Sequence, residues 1–181
     1  MKRRLRRSKG VSTAAVATAT EPVDEARLAF EALYRQSRDD VFAYLRGLLR
    51  DRSAAEEVTA QAFERAWRRR RQLNPDRGSS RAWLFGIARN AGLDELRRRS
   101  RVAELHDVAT DDPAADTAER VALREALDQL SGRERELVAL KYFAGLSNAE
   151  IAAVSGTSES NAGTRLHRVI QKLRRSLDEA D

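Results

Sequence analysis

The chain has 181 residues, 41% apolar and 34% charged, a balance suited to surface-rich helical modules rather than one thick core. Cysteine is absent and the only histidines are His106 and His167, so a disulfide framework, a thiolate metal site and a cysteine nucleophile are excluded and a histidine-built metal centre is not expected. The net charge of +6 lies in the first 20 residues, where Lys2, Arg3, Arg4, Arg6, Arg7 and Lys9 meet no acid, leaving 28 basic residues balanced by 28 acidic ones in the rest.

Residues 1–23 read as a disordered basic tail, because "VSTAAVATAT" is too small and polar to repay the entropy of ordering. The same stretch is too polar for a signal-peptide core, and no run approaches the ~18 apolar residues of a membrane span, so a cytoplasmic location is expected. From Asp24, Ala26, Ala29, Phe30, Leu33 and Tyr34 share a helical face, and after Asp39–Asp40 the set Val41, Phe42, Leu45, Leu48 and Leu49 repeats it, which predicts two amphipathic helices. Ser53 with Glu56 has capping-box spacing ahead of Val58, Ala62, Phe63, Ala66 and Trp67. "LNPDRGSS" then interrupts the helix, and Ser79 or Ser80 caps the next one, which ends in Arg97, Arg98, Arg99 and Arg101.

Composition changes after Arg101. Residues 102–119 carry six acids, no lysine or arginine and one proline, without an apolar period, and read as a flexible acidic linker. Val121, Leu123, Leu127 and Leu130 then mark a helix, Ser131 with Glu134 and Ser147 with Glu150 form two further capping boxes, and a last helix begins at Ser158. The fold class is therefore all-α. A basic tail (1–23), a four-helix module (24–101), a linker (102–117) and a second four-helix module (118–177) follow in order.

Basic residues cluster at Arg65 with Arg68 to Arg71, at Arg97 to Arg101, and at Arg165, Arg168, Lys172, Arg174 and Arg175, three local positive fields fit to attract a polyanion. "LSNAEIAAVSGTSESNAGTRLHRVIQKLRR" has the layout of a helix-turn-helix: a short helix, a glycine turn and a longer helix with a basic far end. Ala149, Ile151, Ala152, Val154, Leu166 and Val169 are expected to bury, and Ser160, Asn161, Thr164, Arg165, His167 and Arg168 to face DNA. Trp83, Leu84 and Ile87 are assigned to the core rather than to base stacking, while Arg89, Asn90 and Arg97 suit a single strand.

The blocks "EALYRQSRDDVFAYLRGLLRD", "AAEEVTAQAFERAW", "RAWLFGIARNAGLDELRRR", the acidic gap, "ALDQLSGRERELVALKYFAGLSNAEIA" and "RLHRVIQKLRR" together resemble the extracytoplasmic-function (ECF) group of the bacterial sigma-70 family. The resemblance implies a promoter-recognition subunit that binds the β and β′ subunits of core RNA polymerase, reads a −35 element with the second module, opens a −10 element with the first, and is held by an anti-sigma factor. It places polymerase contacts at Glu56, Glu57, Gln61, Phe63 and Arg65, and −10 contacts at Arg77, Ser79, Ser80, Arg81, Arg89, Asn90, Arg97 and Arg98, with Trp83, Ile87, Ala88 and Asp94 also at matching positions. It assigns the −35 contacts to the six residues just expected to face DNA, and implies no catalytic residue, cofactor or metal. The chain departs from the family pattern at Ala60–Gln61 and at Ala162–Gly163, so its −35 preference is not transferable from relatives. A helix-turn-helix regulator that binds DNA without polymerase is the alternative; a nuclease built on Glu56–Glu57 or Asp111–Asp112 lacks convergent partners.

Overall fold

The computed structural model describes residues 25–73, 79–103 and 118–178, and among these there are helices and turns but no strand. Helix α1 (Glu25–Leu49) is one unbroken element of 25 residues where two were expected. The buried stripe Phe30, Leu33, Ser37, Val41, Tyr44, Leu48 runs through at three- and four-residue steps, with Leu45 beside it, and Ser37, polar but almost wholly buried, is the link that hid the continuity. Asp40 does not break the helix because its carboxylate accepts from Arg81 Nη2 at 2.8 Å, and Asp39 pairs with Arg38 at 3.1 Å. The helix ends at Arg50, in the left-handed region at φ 56°.

Helix α2 (Arg52–Arg68) is capped by Asp51, whose Oδ1 accepts from the Ala54 amide at 3.0 Å, and not by the expected Ser53–Glu56 box. Asp51 wins because its other oxygen is fixed at 2.8 Å by Arg99 of α3, while Glu56 turns to Arg52 at 3.0 Å. A 3₁₀ turn (Arg70–Gln72) follows, and α3 (Ser80–Ala103) starts under Ser79, whose Oγ accepts from the Ala82 amide at 3.2 Å. Of the expected linker (102–117), Val102 and Ala103 are the end of α3, while 104–117, like 1–24 and 74–78 with Arg77 among them, lie outside the described residues.

The second segment comprises α4 (Ala118–Asp128), α5 (Gly132–Val138), a π-helical turn (Ala139–Phe143), α6 (Asn148–Ser155) and α7 (Glu159–Asp178). Both expected capping boxes are formed: Ser131 N donates to Glu134 at 2.7 Å and Ser147 N to Glu150 at 2.9 Å, each returned by the glutamate amide. Gly156 ends α6 at φ 66°, a conformation that a Cβ would strain, and so sets the turn into α7.

Nothing in the sequence pattern announces that the two segments share a core. Leu140, Leu146 and Ile151, each 1% exposed or less, join one apolar cluster with Tyr44, Leu45, Leu84 and Phe85. The segments are individually short of apolar area, and burying α6 against α3 and the π turn against α1 removes more of it from water. A smaller cluster of Ala126, Leu130, Val138, Val169 and Leu173 holds α4, α5 and α7 together.

Candidate nucleic-acid interface

Successive helical residues advance by about 100°. On α7 this puts Ala162, Leu166, Val169 and Leu173 on one buried face, and leaves Ser160, Asn161, Thr164, Arg165, His167 and Arg168 all exposed in its first half. Arg165 and Arg168 make no hydrogen bond or ion pair among the described residues, so both guanidinium groups point outward uncommitted. Lys172, one turn further, differs: its Nζ donates to Glu134 and to the Gln129 carbonyl, each at 3.1 Å. Asn161 is steadied by a 2.8 Å bond from Nδ2 to Thr157 Oγ1. Of the residues expected to bury, Ile151, Ala152, Leu166 and Val169 do and Val154 is half-buried; Ala149 is exposed, because it lies about 160° around α6 from Ile151. Ala162 is buried, so its small side chain is set by packing, and Gly163 passes Asn148 closely within a helix that continues without a break.

On α3 the buried side carries Leu84 and Ile87, as assigned, together with Ala91 and with Ala88, one of the positions matched to the −10 reader, and Trp83 is half-buried against the same core. Asn90 and Arg97, seven residues apart, lie together on the exposed side; Arg97 leans on Asp94 at 3.4 Å, and Arg98 is held by Glu95 through two 2.7 Å bonds. Hydrogen bonding to Arg98, aided by Arg99 and opposed by burial, keeps the Glu95 carboxyl below the usual glutamate range.

The other flank of α3 is engaged. Arg89 donates from Nε and Nη2 to Glu136 of α5, a carboxylate only 7% exposed. Arg81 Nη2, besides Asp40, donates to the Ala144 carbonyl just after the π turn, and its guanidinium sits 5.2 Å over the Phe85 ring. Ser79 Oγ donates to Glu150 Oε1 at 2.7 Å. Burial would raise the Glu150 carboxyl, yet the Ser147 amide, the Ser79 and Ser147 hydroxyls and the Arg81 charge together hold it below its usual value. Ser80 is half-buried at the helix start. Tyr44 lies in the same region, stacked edge-on against Phe85 at 5.7 Å, and burial pushes its phenol far above the ordinary tyrosine value. Asp40, Glu136, Ala144 and Glu150 were not among the functional residues foreseen. Glu136 left a signal: it stands one turn before Leu140, so a carboxylate on that stripe needed a cation.

On α2, Glu57, Ala60, Gln61, Glu64 and Arg68 form a stripe on the outer side, with Gln61 bonded to Glu57 at 3.1 Å and Arg68 to Glu64 at 2.6 Å. Glu56 borders it. Phe63 is not on that surface: it is 7% exposed and stacks edge-on against Tyr34 at 4.7 Å, since its position falls on the buried side. Arg65 reaches Asp94 at 3.4 Å and ties α2 to α3. Trp67 remains partly exposed, with the Arg70 guanidinium 4.0 Å over its ring.

Among the described residues no cluster of histidine, aspartate or glutamate could hold a metal, and no helix is long and apolar enough to cross a membrane. The description of sigma-70 region 2 matches residues 33–102, and that of sigma-70 region 4 matches residues 120–173. The ECF RNA polymerase sigma factor SigL of Mycobacterium tuberculosis is 31% identical over 157 residues, covering 82% of this chain and 88% of SigL. SigK of Mycobacterium ulcerans, another ECF sigma factor, is 29% identical over 163 residues, covering 84% and 87%. In fold, the chain is similar to the sigma factor RpoE of Bartonella quintana, solved with the anti-sigma factor NepR (TM-score 0.70, 23% identity, 83% of this chain and 97% of that one), and to CnrH, solved with the cytosolic domain of CnrY (TM-score 0.65, 26% identity, 86% and 91%). With both regions in their proper order and a relative of this identity matched over most of its length, the chain belongs to the ECF group of sigma-70 RNA polymerase sigma factors.

Proposed function

We propose that this sigma factor divides its work by segment. The outer stripe of α2, from Glu56 and Glu57 to Gln61, meets core RNA polymerase. Asn90, Arg97 and Arg98 of α3, together with Ser79, Ser80, Arg81 and Arg89 on its flank and Arg77 ahead of it in sequence, take the −10 strand as it melts. The first half of α7 enters the major groove at the −35 element. What carries this reading is the set of six α7 side chains, all exposed beyond a turn fixed by Gly156, with two uncommitted guanidinium groups among them. Arginines of that kind serve phosphates and guanine edges equally well, and the smaller polar groups beside them suit the remaining base contacts.

The work is binding, with the chemistry left to the polymerase. Two weak DNA readers on one chain become selective because engaging the second site is intramolecular. An anti-sigma partner is part of the proposal, supported by the RpoE and CnrH complexes, as is a cytoplasmic location. Run-off transcription with purified core polymerase on a promoter library, with and without the protein, tests it. The expected result is selective initiation that is lost when the spacing between the two elements changes by half a helical turn. Specific duplex binding by the protein alone, at the affinity of its complex with polymerase, would instead support a regulator that works without the enzyme.

A further inference from the structure

Gly163 leaves a gap in the row of α7 side chains assigned to the groove, and a residue of another helix fills it. Ser160, Gly163 and His167 follow at steps of three and four and lie within about 60° of one another around the helix. The outer two are exposed polar side chains, and between them the backbone is bare. A Cβ on Gly163 would stand 3.4 Å from Nδ2 of Asn148, so the half-buried amide of this α6 residue lies over the spot where α7 has no side chain to offer. We propose that Asn148 is a further base-reading residue of the −35 interface and that it acts as a donor: its Nδ2 meets an acceptor on a base edge in the major groove, guanine O6 or N7 or thymine O4, and discriminates against cytosine.

The inference rests on the functional reading above and adds to it a residue outside α7. The orientation of the amide follows from Lys141 of the π turn, whose Nζ lies 3.5 Å from Oδ1 of Asn148 and also donates to the Leu146 carbonyl at 3.3 Å. An ammonium has only donors, so the carbonyl end of the amide turns to it and the NH2 end to Gly163. Nδ2 makes no hydrogen bond among the described residues, which leaves it to a ligand. An asparagine with both ends available reads adenine, donating to N7 and accepting from N6. With its oxygen turned to Lys141, Asn148 keeps only the donor half of that pair, which guanine and thymine satisfy and the cytosine amino group opposes. The side chain is not committed to folding, because the Ser147–Glu150 box caps α6 without it. A side chain longer than that of alanine at 163 would take the same space, so the glycine and the amide act as one unit.

Selection from duplexes randomised across the −35 region tests this, with the full-length protein bound to core polymerase and, in parallel, without it. In the parent, one position should favour guanine or thymine over cytosine by about fivefold, the lower end of what a good base contact yields. Asn148→Ala should flatten the preference at that position and leave the others as they were. Asn148→Asp, with an acceptor in place of the donor, should turn the preference toward cytosine, an outcome that a merely structural role for the amide does not produce. Circular dichroism should show both variants folded like the parent. Parental preferences at every position in folded Asn148→Ala overturn the inference. So does a loss shared equally by all bases, which would mean a phosphate contact and no base reading. A parent that selects no sequence in either format removes the functional reading and this inference with it, whereas a parent that selects a −35 element read identically by the variants removes this inference alone.

Discussion

If α7 meets duplex phosphates through Arg165 and Arg168 and not through Lys172, the salt dependence of promoter binding must separate them. Each phosphate contact with duplex DNA releases condensed counterion, and log affinity then falls by about 0.9 for each unit of log salt concentration. Raising salt fourfold, from 50 to 200 mM, therefore weakens binding by about 3.5-fold per contact. Arg168→Gln should remove one such factor, and Arg165→Gln with Arg168→Gln about 12-fold, because neither guanidinium has a competing partner among the described residues. Lys172→Gln serves as the control. Its ammonium is committed to Glu134 and the Gln129 carbonyl, so its loss should leave the slope alone and cost about 0.5 kcal/mol of stability. The assay is anisotropy of a labelled promoter duplex bound by protein reconstituted with core polymerase, titrated with salt. A slope unchanged by Arg168→Gln, or lowered as much by Lys172→Gln, would refute the assignment of α7 to the groove.

Three further outcomes are expected from the local chemistry. Asp51→Ala should lose about 1 kcal/mol in urea unfolding, while Ser53→Ala stays within about 0.5, because Asp51 is the cap and Ser53 is not. Gly163→Ala should raise the melting temperature, gaining about 0.5–1 kcal/mol of helix propensity, since the new Cβ meets only the flexible amide of Asn148 at 3.4 Å; a lower melting temperature would mean that α6 and α7 cannot yield there. Asp51, Glu95, Glu134 and Glu150 all have carboxyls held below their ordinary values of 3.8 and 4.5, so their contribution is fully present above about pH 4.5 and is lost as pH falls through the lowered folded-state values. Urea midpoints between pH 7 and pH 3 should fall accordingly, and Glu134→Gln should make that fall shallower.

How much of this was legible in the sequence depends on the range of the interaction. The boxes at Ser131 and Ser147 were readable because cap and partner are three residues apart, and the exposed face of α7 followed from helical period alone. Helix α1 was misread as two at Asp39–Asp40, because what steadies Asp40 is Arg81, 41 positions away. The cap of α2 was misplaced for the same reason: Asp51 and Ser53 both allow one, and Arg99, 48 positions on, favours the aspartate. Phe63, assigned to the polymerase surface, has its burial decided by Tyr34 across α1.

The candidate site divides along the same line. Charge clustering marked α3 as a helix built to hold an anion, but clustering carries no information on which anion it holds. A run of arginines attracts a phosphate strand and a buried glutamate by the same Coulomb and hydrogen-bond terms. What distinguishes Arg89 from Arg97 is position around the helix: Arg89 faces Glu136 across the shared core, and Arg97 faces outward beside Asn90. Two arginines of equal standing in the sequence therefore differ in what they must give up to meet DNA. Arg97 gives up a long contact with an exposed Asp94, whereas Arg89 would leave a nearly buried carboxylate behind.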